Sequence, residues 1–221
     1  MVLDGVVQQG KRLFTKNLSS CIGQSVYGEQ LRTIDGVEYR SWTPYRSKLA
    51  AALLKGYQPK KLYSNSKVLY LGAAMGTTVS HVSDIVSGGV VFAVEHSAVA
   101  AKQLLDAIKN RNNVIPLYYD ANHPDRYAVI VPQVDFLYQD ISQRNQADIF
   151  ARNIQWYLKK DGEAVIMVKA RSIDVALLPK KAYTQVADEL QGHGLHIKKS
   201  FTLAPFDRDH AVFVVNQKNR S

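Results

Sequence analysis

The stretch Val68-Leu69-Tyr70-Leu71-Gly72-Ala73-Ala74-Met75-Gly76-Thr77-Thr78 decides the fold. An apolar run enters a turn of small residues, and the pattern beyond the turn is helical, so strand, tight turn and helix succeed one another. In an open α/β sheet this arrangement marks the first strand, whose carboxyl end opens onto a ligand crevice at the topological switch point. The turn lacks the GxxxxGK[ST] pattern of a nucleoside-triphosphate loop. It also departs from GxGxxG, because Ala74 stands where a second glycine would admit a pyrophosphate. A ligand can approach the backbone closely here, and nothing in the turn is built for phosphate.

Downstream, apolar runs alternate with helical stretches, the signature of a mostly parallel sheet with crossover helices. Strands are expected at Val68 to Leu71, Val90 to Val94, Val114 to Leu117, Val134 to Tyr138 and Ala164 to Val168, with helices at Thr78 to Val86, Ala98 to Asn110, Gln143 to Tyr157 and Lys180 to Gln191. Leu195 to Leu203 and Ala211 to Val215 read as two further strands joined by a short turn with Pro205. A connection that short cannot cross over, so the final strand is expected to be antiparallel to its neighbour.

Upstream, short segments at Val2 to Gln8, Lys11 to Thr15, Ser25 to Leu31 and Val37 to Tyr39 are separated by glycines, which predicts a small antiparallel appendage. Thr43 as cap, Pro44 at the first helical position and an alanine-leucine body predict a helix ending near Gly56. Residues 1–55 are therefore read as an N-terminal β region with a leading helix, and 56–221 as the main domain.

Three acids follow successive strand ends. Glu95 closes the second strand, where a carboxylate can accept hydrogen bonds from the hydroxyls of an adenosyl ribose. Asp120 follows the third strand, placed to accept from an adenine amino group, and Asp140 follows the fourth. Three acids beside a turn without phosphate chemistry describe a pocket for a cationic adenosyl ligand, and S-adenosylmethionine fits. A nicotinamide oxidoreductase is disfavoured by Ala74 and by the lack of a substrate domain.

The chain has 221 residues, 46% of them hydrophobic and 21% charged, with a formal charge of +9. That composition excludes disordered, collagen-like and disulfide-scaffold classes. The single cysteine, Cys21, cannot form an intramolecular bridge, and the N-terminus lacks the layout of a secretory signal, so a reducing intracellular compartment is expected. Apolar runs end well short of the ~18 residues that a membrane span needs, so the chain is expected to be soluble, with no membrane partner. The six histidines show no metal-ligand spacing, and His81 reads as a packing residue. Basic pairs at Lys11-Arg12, Lys60-Lys61, Lys159-Lys160, Lys180-Lys181 and Lys198-Lys199, with Lys218 and Arg220, favour a polyanionic partner in sum. No module for reading a base sequence is visible.

Tyr45-Arg46-Ser47-Lys48-Leu49-Ala50-Ala51, Leu71-Gly72-Ala73-Ala74-Met75-Gly76-Thr77-Thr78-Val79-Ser80-His81, Asp140-Ile141-Ser142-Gln143, Val168-Lys169-Ala170-Arg171-Ser172-Ile173-Asp174 and Asp209-His210-Ala211 together resemble fibrillarin in its short archaeal form. The resemblance runs over essentially the whole chain. It implies a Rossmann-like S-adenosylmethionine methyltransferase fold: a mostly parallel seven-stranded sheet with an antiparallel last strand, plus the small N-terminal β appendage. It implies 2′-O-methylation of ribose in rRNA and tRNA, directed by a box C/D guide RNA inside a ribonucleoprotein. Its implied partners are a Nop-domain scaffold protein and a kink-turn-binding protein. Its implied location is the cytoplasm of an archaeal cell, or the nucleolus in a eukaryote.

Carried over by residue, the resemblance implies cofactor contacts from Gly72, Ala73, Thr77, Thr78, Glu95, His96, Asp120, Ala121, Asp140, Ile141, Ser142 and Gln143. Met75 stands where a small residue is usual, and His96 where an aromatic is. The catalytic set maps onto Lys48, Asp140, Lys169 and His210. For methyl transfer to a hydroxyl, Lys169 is expected nearest the 2′-oxygen, with Lys48 as an orienting cation and Asp140 holding a lysine. Glu95 is expected at an exposed strand end. A stand-alone RNA methyltransferase and a non-catalytic ribonucleoprotein subunit are the competing readings.

Overall fold

The computed structural model describes residues 3–217; Val2, Lys218 and Arg220 lie outside the described residues. Four antiparallel strands come first: β1 (Val6–Gln9), β2 (Arg12–Lys16), β3 (Leu31–Ile34) and β4 (Val37–Trp42), in the order β1-β2-β4-β3. Helix α1 (Lys48–Leu54) leads into the main sheet. There β5 (Lys67–Leu71), β6 (Val90–Glu95), β7 (Val114–Tyr118), β8 (Val134–Gln139) and β9 (Leu158–Lys169) are all parallel. The helices between them are α2 (Thr77–Ile85), α3 (Ala98–Ile108) and α4 (Gln146–Tyr157), and α5 (Ala170–Ile173) and α6 (Pro179–Gly192) follow β9. The last pair, β10 (Leu195–Thr202) and β11 (His210–Gln217), completes seven strands in the order β10-β11-β9-β8-β5-β6-β7. β11 is inserted between β9 and β10 and is antiparallel to both. The strand order reverses between β5 and β8, which puts the switch point directly above Leu71 and Gln139.

The alternation of side chains along β5 divides the core. Leu69 and Leu71 face one side with Leu137, Ile166 and residues of α4 and α6. Val68 and Tyr70 face the other with α1, α2 and α3. Leu13 and Trp42 of the N-terminal sheet join this second cluster, so the appendage is packed into the same core.

Two N-terminal expectations need correction. Ser25 to Gln30 is a loop, and the third strand begins only at Leu31. The carboxylate of Glu29 accepts from the backbone N–H groups of Val26 and Tyr27, and Gly28 has φ of +79°, so the segment curls on itself. The helix expected from Thr43 starts at Lys48. Arg46 N–H donates to the Thr43 carbonyl and closes a turn, and Ser47, with φ −142° and ψ 112°, is the residue whose side chain accepts from Ala50 N–H. Two candidate caps stand close together, and the one with the helix-capping conformation wins. As a result Lys48 is the first helical residue.

A buried polar network ties the appendage to α2. Asp84 accepts from Thr15 Oγ1 at 2.6 Å, Arg40 Nη1 at 2.8 Å and Arg111 Nη1 at 2.6 Å. Arg40 also donates to Glu29 and to Ser80. His81 lies within this network, stacked on Trp42 and bonded to Thr15 and Tyr27. Burial, then the charges of Arg40 and Arg111, hold its pKa well below the usual histidine range, so it is a neutral packing residue.

Replacing Asp84 by Ala leaves two buried guanidinium groups without their shared carboxylate. Such a break costs about 3 to 5 kcal/mol. Urea denaturation is expected to show a loss of that size, and a loss under about 1 kcal/mol would mean that the network is not what fastens the appendage.

Candidate active site

Gly72 follows directly from β5, with φ of +81°. A Cβ at this position would lie 2.5 Å from the carbonyl oxygen of Asp140, so no other residue allows the ends of β5 and β8 to come this close. Leu71 carbonyl accepts from Asp140 N–H at 3.0 Å, while Gly72 and Ala73 N–H both donate to Val94 carbonyl. Three strand ends are thereby sewn together. Ala74 holds φ of +48°, a left-handed conformation that costs a non-glycine residue on the order of 1 kcal/mol. Gly76, at φ +86°, packs against Ala107 and Leu104 and starts α2.

Above this turn is a cavity of about 240 Å³ lined by Gly72, Ala74, Val94, Glu95, His96, Tyr119, Asp120, Ala121, Asp140, Ile141, Ser142 and Gln143. Nine of the twelve residues expected at a cofactor site are among them. Ala73, Thr77 and Thr78 are not: Ala73 is buried, the Thr78 hydroxyl donates to Ser47 Oγ, and Thr77 faces a larger space on the other side of the turn together with Met75 and Arg46. Ala74, Val94 and Tyr119 were missed, although Ala74 lies in the quoted turn and Tyr119 directly precedes Asp120.

Glu95 is buried, contrary to the expected exposed strand end. Its Oε2 accepts from Ala74 N–H at 2.8 Å and its Oε1 from His96 and Ser97 N–H at 3.0 and 2.8 Å. A carboxylate has about four acceptor sites, so one remains for a ligand hydroxyl. Glu95 therefore shapes the turn as well as facing the cavity. Asp120 accepts from the N–H and the side-chain amide of Asn122, whose amide also reaches Gln143. Burial pushes the pKa of Asp120 up, but those two hydrogen bonds and the nearby His123 and His96 outweigh it, so the net displacement is below the ordinary carboxylate value.

Of the expected catalytic residues, Asp140 lines the same cavity, and the other three are joined to it or to one another in two pairs. Lys48 Nζ donates to both oxygens of Asp140, at 2.9 and 2.8 Å. Lys169, the last residue of β9, is the register partner of His210, the first residue of β11. Burial, followed by the charge of Lys48, lowers the pKa of His210 below the ordinary histidine value against the opposing pull of Asp207.

The donor set suits one kind of ligand. Three carboxylates line the cavity and neither Lys nor Arg does, so a pyrophosphate would be repelled, while an adenosyl sulfonium finds acceptors for its hydroxyls and amino group and a negative field for its charge. This fold with this site defines a Rossmann-like S-adenosylmethionine-dependent methyltransferase.

The family follows from comparison with known proteins. The family model described as Fibrillarin matches residues 3–219, and the chain belongs to the fibrillarin family. A fibrillarin-like rRNA/tRNA 2′-O-methyltransferase of Archaeoglobus fulgidus is 50% identical over 190 residues, covering 86% of this chain and 87% of that one. Fibrillarin of Aeropyrum pernix, solved with natively bound S-adenosyl-L-methionine, superposes with a TM-score of 0.85 at 42% identity, covering 95% of this chain and 92% of that one. A fibrillarin solved in complex with Nop5p superposes with a TM-score of 0.89 at 45% identity, covering 98% and 99%.

Glu95→Gln removes the acceptor with the smallest change of shape. Hydrogen bonds to a charged group contribute about 1.5 to 3 kcal/mol, so the dissociation constant for S-adenosylmethionine measured by calorimetry is expected to rise ~10-fold or more, with a modest drop in thermal stability from the altered turn. An unchanged dissociation constant would sink the assignment of Glu95 to the ligand.

Proposed function

We propose that the chain methylates the 2′-hydroxyl of ribose in rRNA and tRNA, at positions selected by a box C/D guide RNA within a ribonucleoprotein. The observation that carries this reading is the Lys48–Asp140 pair at the edge of the acid-lined cavity, with Lys169 and His210 side by side across β9 and β11. S-adenosylmethionine, when bound, supplies an electrophilic methyl group on a sulfonium. The chain supplies alignment, charge and a route for one proton.

Alignment is the largest contribution, on the order of 7 to 11 kcal/mol for well-oriented partners. Asp140 both lines the cavity and holds Lys48 by two hydrogen bonds, so Lys48 is fixed as an orienting cation. The Lys169 ammonium faces the 2′-oxygen and stabilises negative charge developing there. His210, kept uncharged at neutral pH by burial and by Lys48, takes the proton. Glu95, Asp120 and the backbone around Gly72 hold the adenosine, with His96, Ala121, Ile141, Ser142 and Gln143 forming the wall.

Selection of the nucleotide comes from outside the chain. The archaeal relatives are named rRNA/tRNA methyltransferases, and a homologous fibrillarin has been solved with Nop5p, which supports a Nop-domain scaffold as the docking partner. A kink-turn-binding protein and the guide RNA complete the particle. The excess of positive charge attracts RNA phosphates without reading sequence, and docking raises the local RNA concentration far above what scattered lysines achieve. The unpaired thiol of Cys21 and the archaeal relatives support a cytoplasmic setting.

The test is transfer of labelled methyl from S-adenosylmethionine to RNA. The isolated chain is expected to methylate little, and scaffold, kink-turn protein and guide together are expected to restore the reaction. Efficient methylation of a fixed nucleotide by the chain alone would replace this reading with a stand-alone enzyme. Within the particle, Lys169→Ala is expected to slow methylation by at least ~10²-fold while leaving cofactor affinity within a few-fold. Equal losses in both would place Lys169 in cofactor binding or folding.

A further inference from the structure

The loop between β10 and β11 returns a carboxylate to the active site. Leu203 N–H donates to the His210 carbonyl at 2.9 Å and Asp207 N–H donates to the Leu203 carbonyl at 3.3 Å, so the loop closes on itself. Asp207 Oδ1 accepts from Asp209 N–H at 3.3 Å, which fixes the carboxylate from its own side. The same oxygen lies 2.6 Å from Nδ1 of His210. The contact has the length of an ion pair but not the alignment of a hydrogen bond. Nδ1 is buried and makes no aligned hydrogen bond to any of the described residues, so Asp207 is the polar group nearest to hand for it.

We infer that Asp207 is a positioning residue that holds the proton of neutral His210 on Nδ1, leaving the lone pair on Nε2 to take the proton of the RNA 2′-hydroxyl. The inference rests on the ribose methylation proposed above. A carboxylate beside one ring nitrogen sets the tautomer of a histidine and stabilises the imidazolium formed when the other nitrogen is protonated. The charges around His210 make that support necessary. Lys48 from α1 opposes a positive imidazole, Lys169 is the register neighbour of His210 on β9, and Asp140 at the end of β8, which favours the charge, is engaged with Lys48. Asp207 is the carboxylate in contact with the ring. As O2′ forms its bond to the methyl carbon, the methyl–sulfur bond breaks and its electron pair stays on sulfur. The hydroxyl proton passes to Nε2, and the imidazolium later returns it to water.

Asp207→Asn keeps the size of the side chain and presents an amide N–H to Nδ1, which drives the ring proton to Nε2. In the assembled particle, single-turnover methylation is expected to fall ~10-fold or more, with dissociation constants for RNA and S-adenosylmethionine within about threefold of wild type. Asp207→Glu is expected to recover much of the rate. The ring ¹⁵N spectrum of the chain, with the His210 signal identified by its loss in His210→Ala, is expected to show Nδ1–H in wild type and Nε2–H in Asp207→Asn. In the His210→Ala background, Asp207→Asn is expected to change the rate less than about twofold. An unchanged rate, an unchanged ring spectrum, or an equal loss without His210 would each overturn the inference. A wild-type particle that methylates no RNA would refute the ribose reading, and the ring spectrum would still decide the role of Asp207.

Discussion

The contact on which the site depends is the approach of Gly72 to the carbonyl of Asp140. Only a residue without Cβ, at positive φ, lets the end of β5 lie against the end of β8. With that contact made, the Asp140 N–H is taken up by Leu71, and its side chain is turned to where it can both line the cavity and hold Lys48. The switch point of the sheet then becomes a place where the cavity wall and Lys48 are positioned by the same residue. Glu95 does the corresponding work on the other side of the turn, where its carboxylate holds the N–H of Ala74 in a left-handed conformation. The cavity is therefore shaped largely by backbone groups, and its chemistry comes from the acids that fix them.

Charge is distributed in two opposite senses. The exterior is basic, with a net charge of +9 over the chain, whereas the cavity is lined by three carboxylates. An anionic polymer is drawn to the outside and a cationic small molecule to the inside, and the side chains proposed to carry the reaction stand at the boundary. Lys48 is held there by a capped helix start, and Lys169 and His210 by the register of two antiparallel strands. The buried Asp84 network adds rigidity at a distance, because it anchors α2, the helix that the glycine turn feeds.

Much of this was legible in the sequence. The main-sheet strands show as apolar runs, the glycine turn shows by composition, and the short connection before β11 announced its antiparallel direction. Glu95, Asp120 and Asp140 could be read as a set because each closes a strand or follows one within two residues. What was not legible depended on competition or on distance. Thr43 and Ser47 are both good caps, and only backbone conformation chooses Ser47. Ser25 to Gln30 has the look of a strand until Glu29 gathers its own neighbours' N–H groups. The burial of Glu95 follows from hydrogen bonds to residues of two loops, and the pairing of Lys169 with His210 joins residues far apart in the chain, so neither leaves a local signal.

The reaction proposed for this site is delivery of a methyl group to a ribose oxygen. The most direct measurement replaces the single guide-selected nucleotide of the target RNA with its 2′-deoxy counterpart and follows methyl incorporation by mass spectrometry in the assembled particle. Methylation is expected on the all-ribose target at that nucleotide's sugar and not in the 2′-deoxy RNA, with guide pairing intact in both. Continued methylation of the deoxy-substituted RNA at that nucleotide, with the added mass on its base, would contradict it.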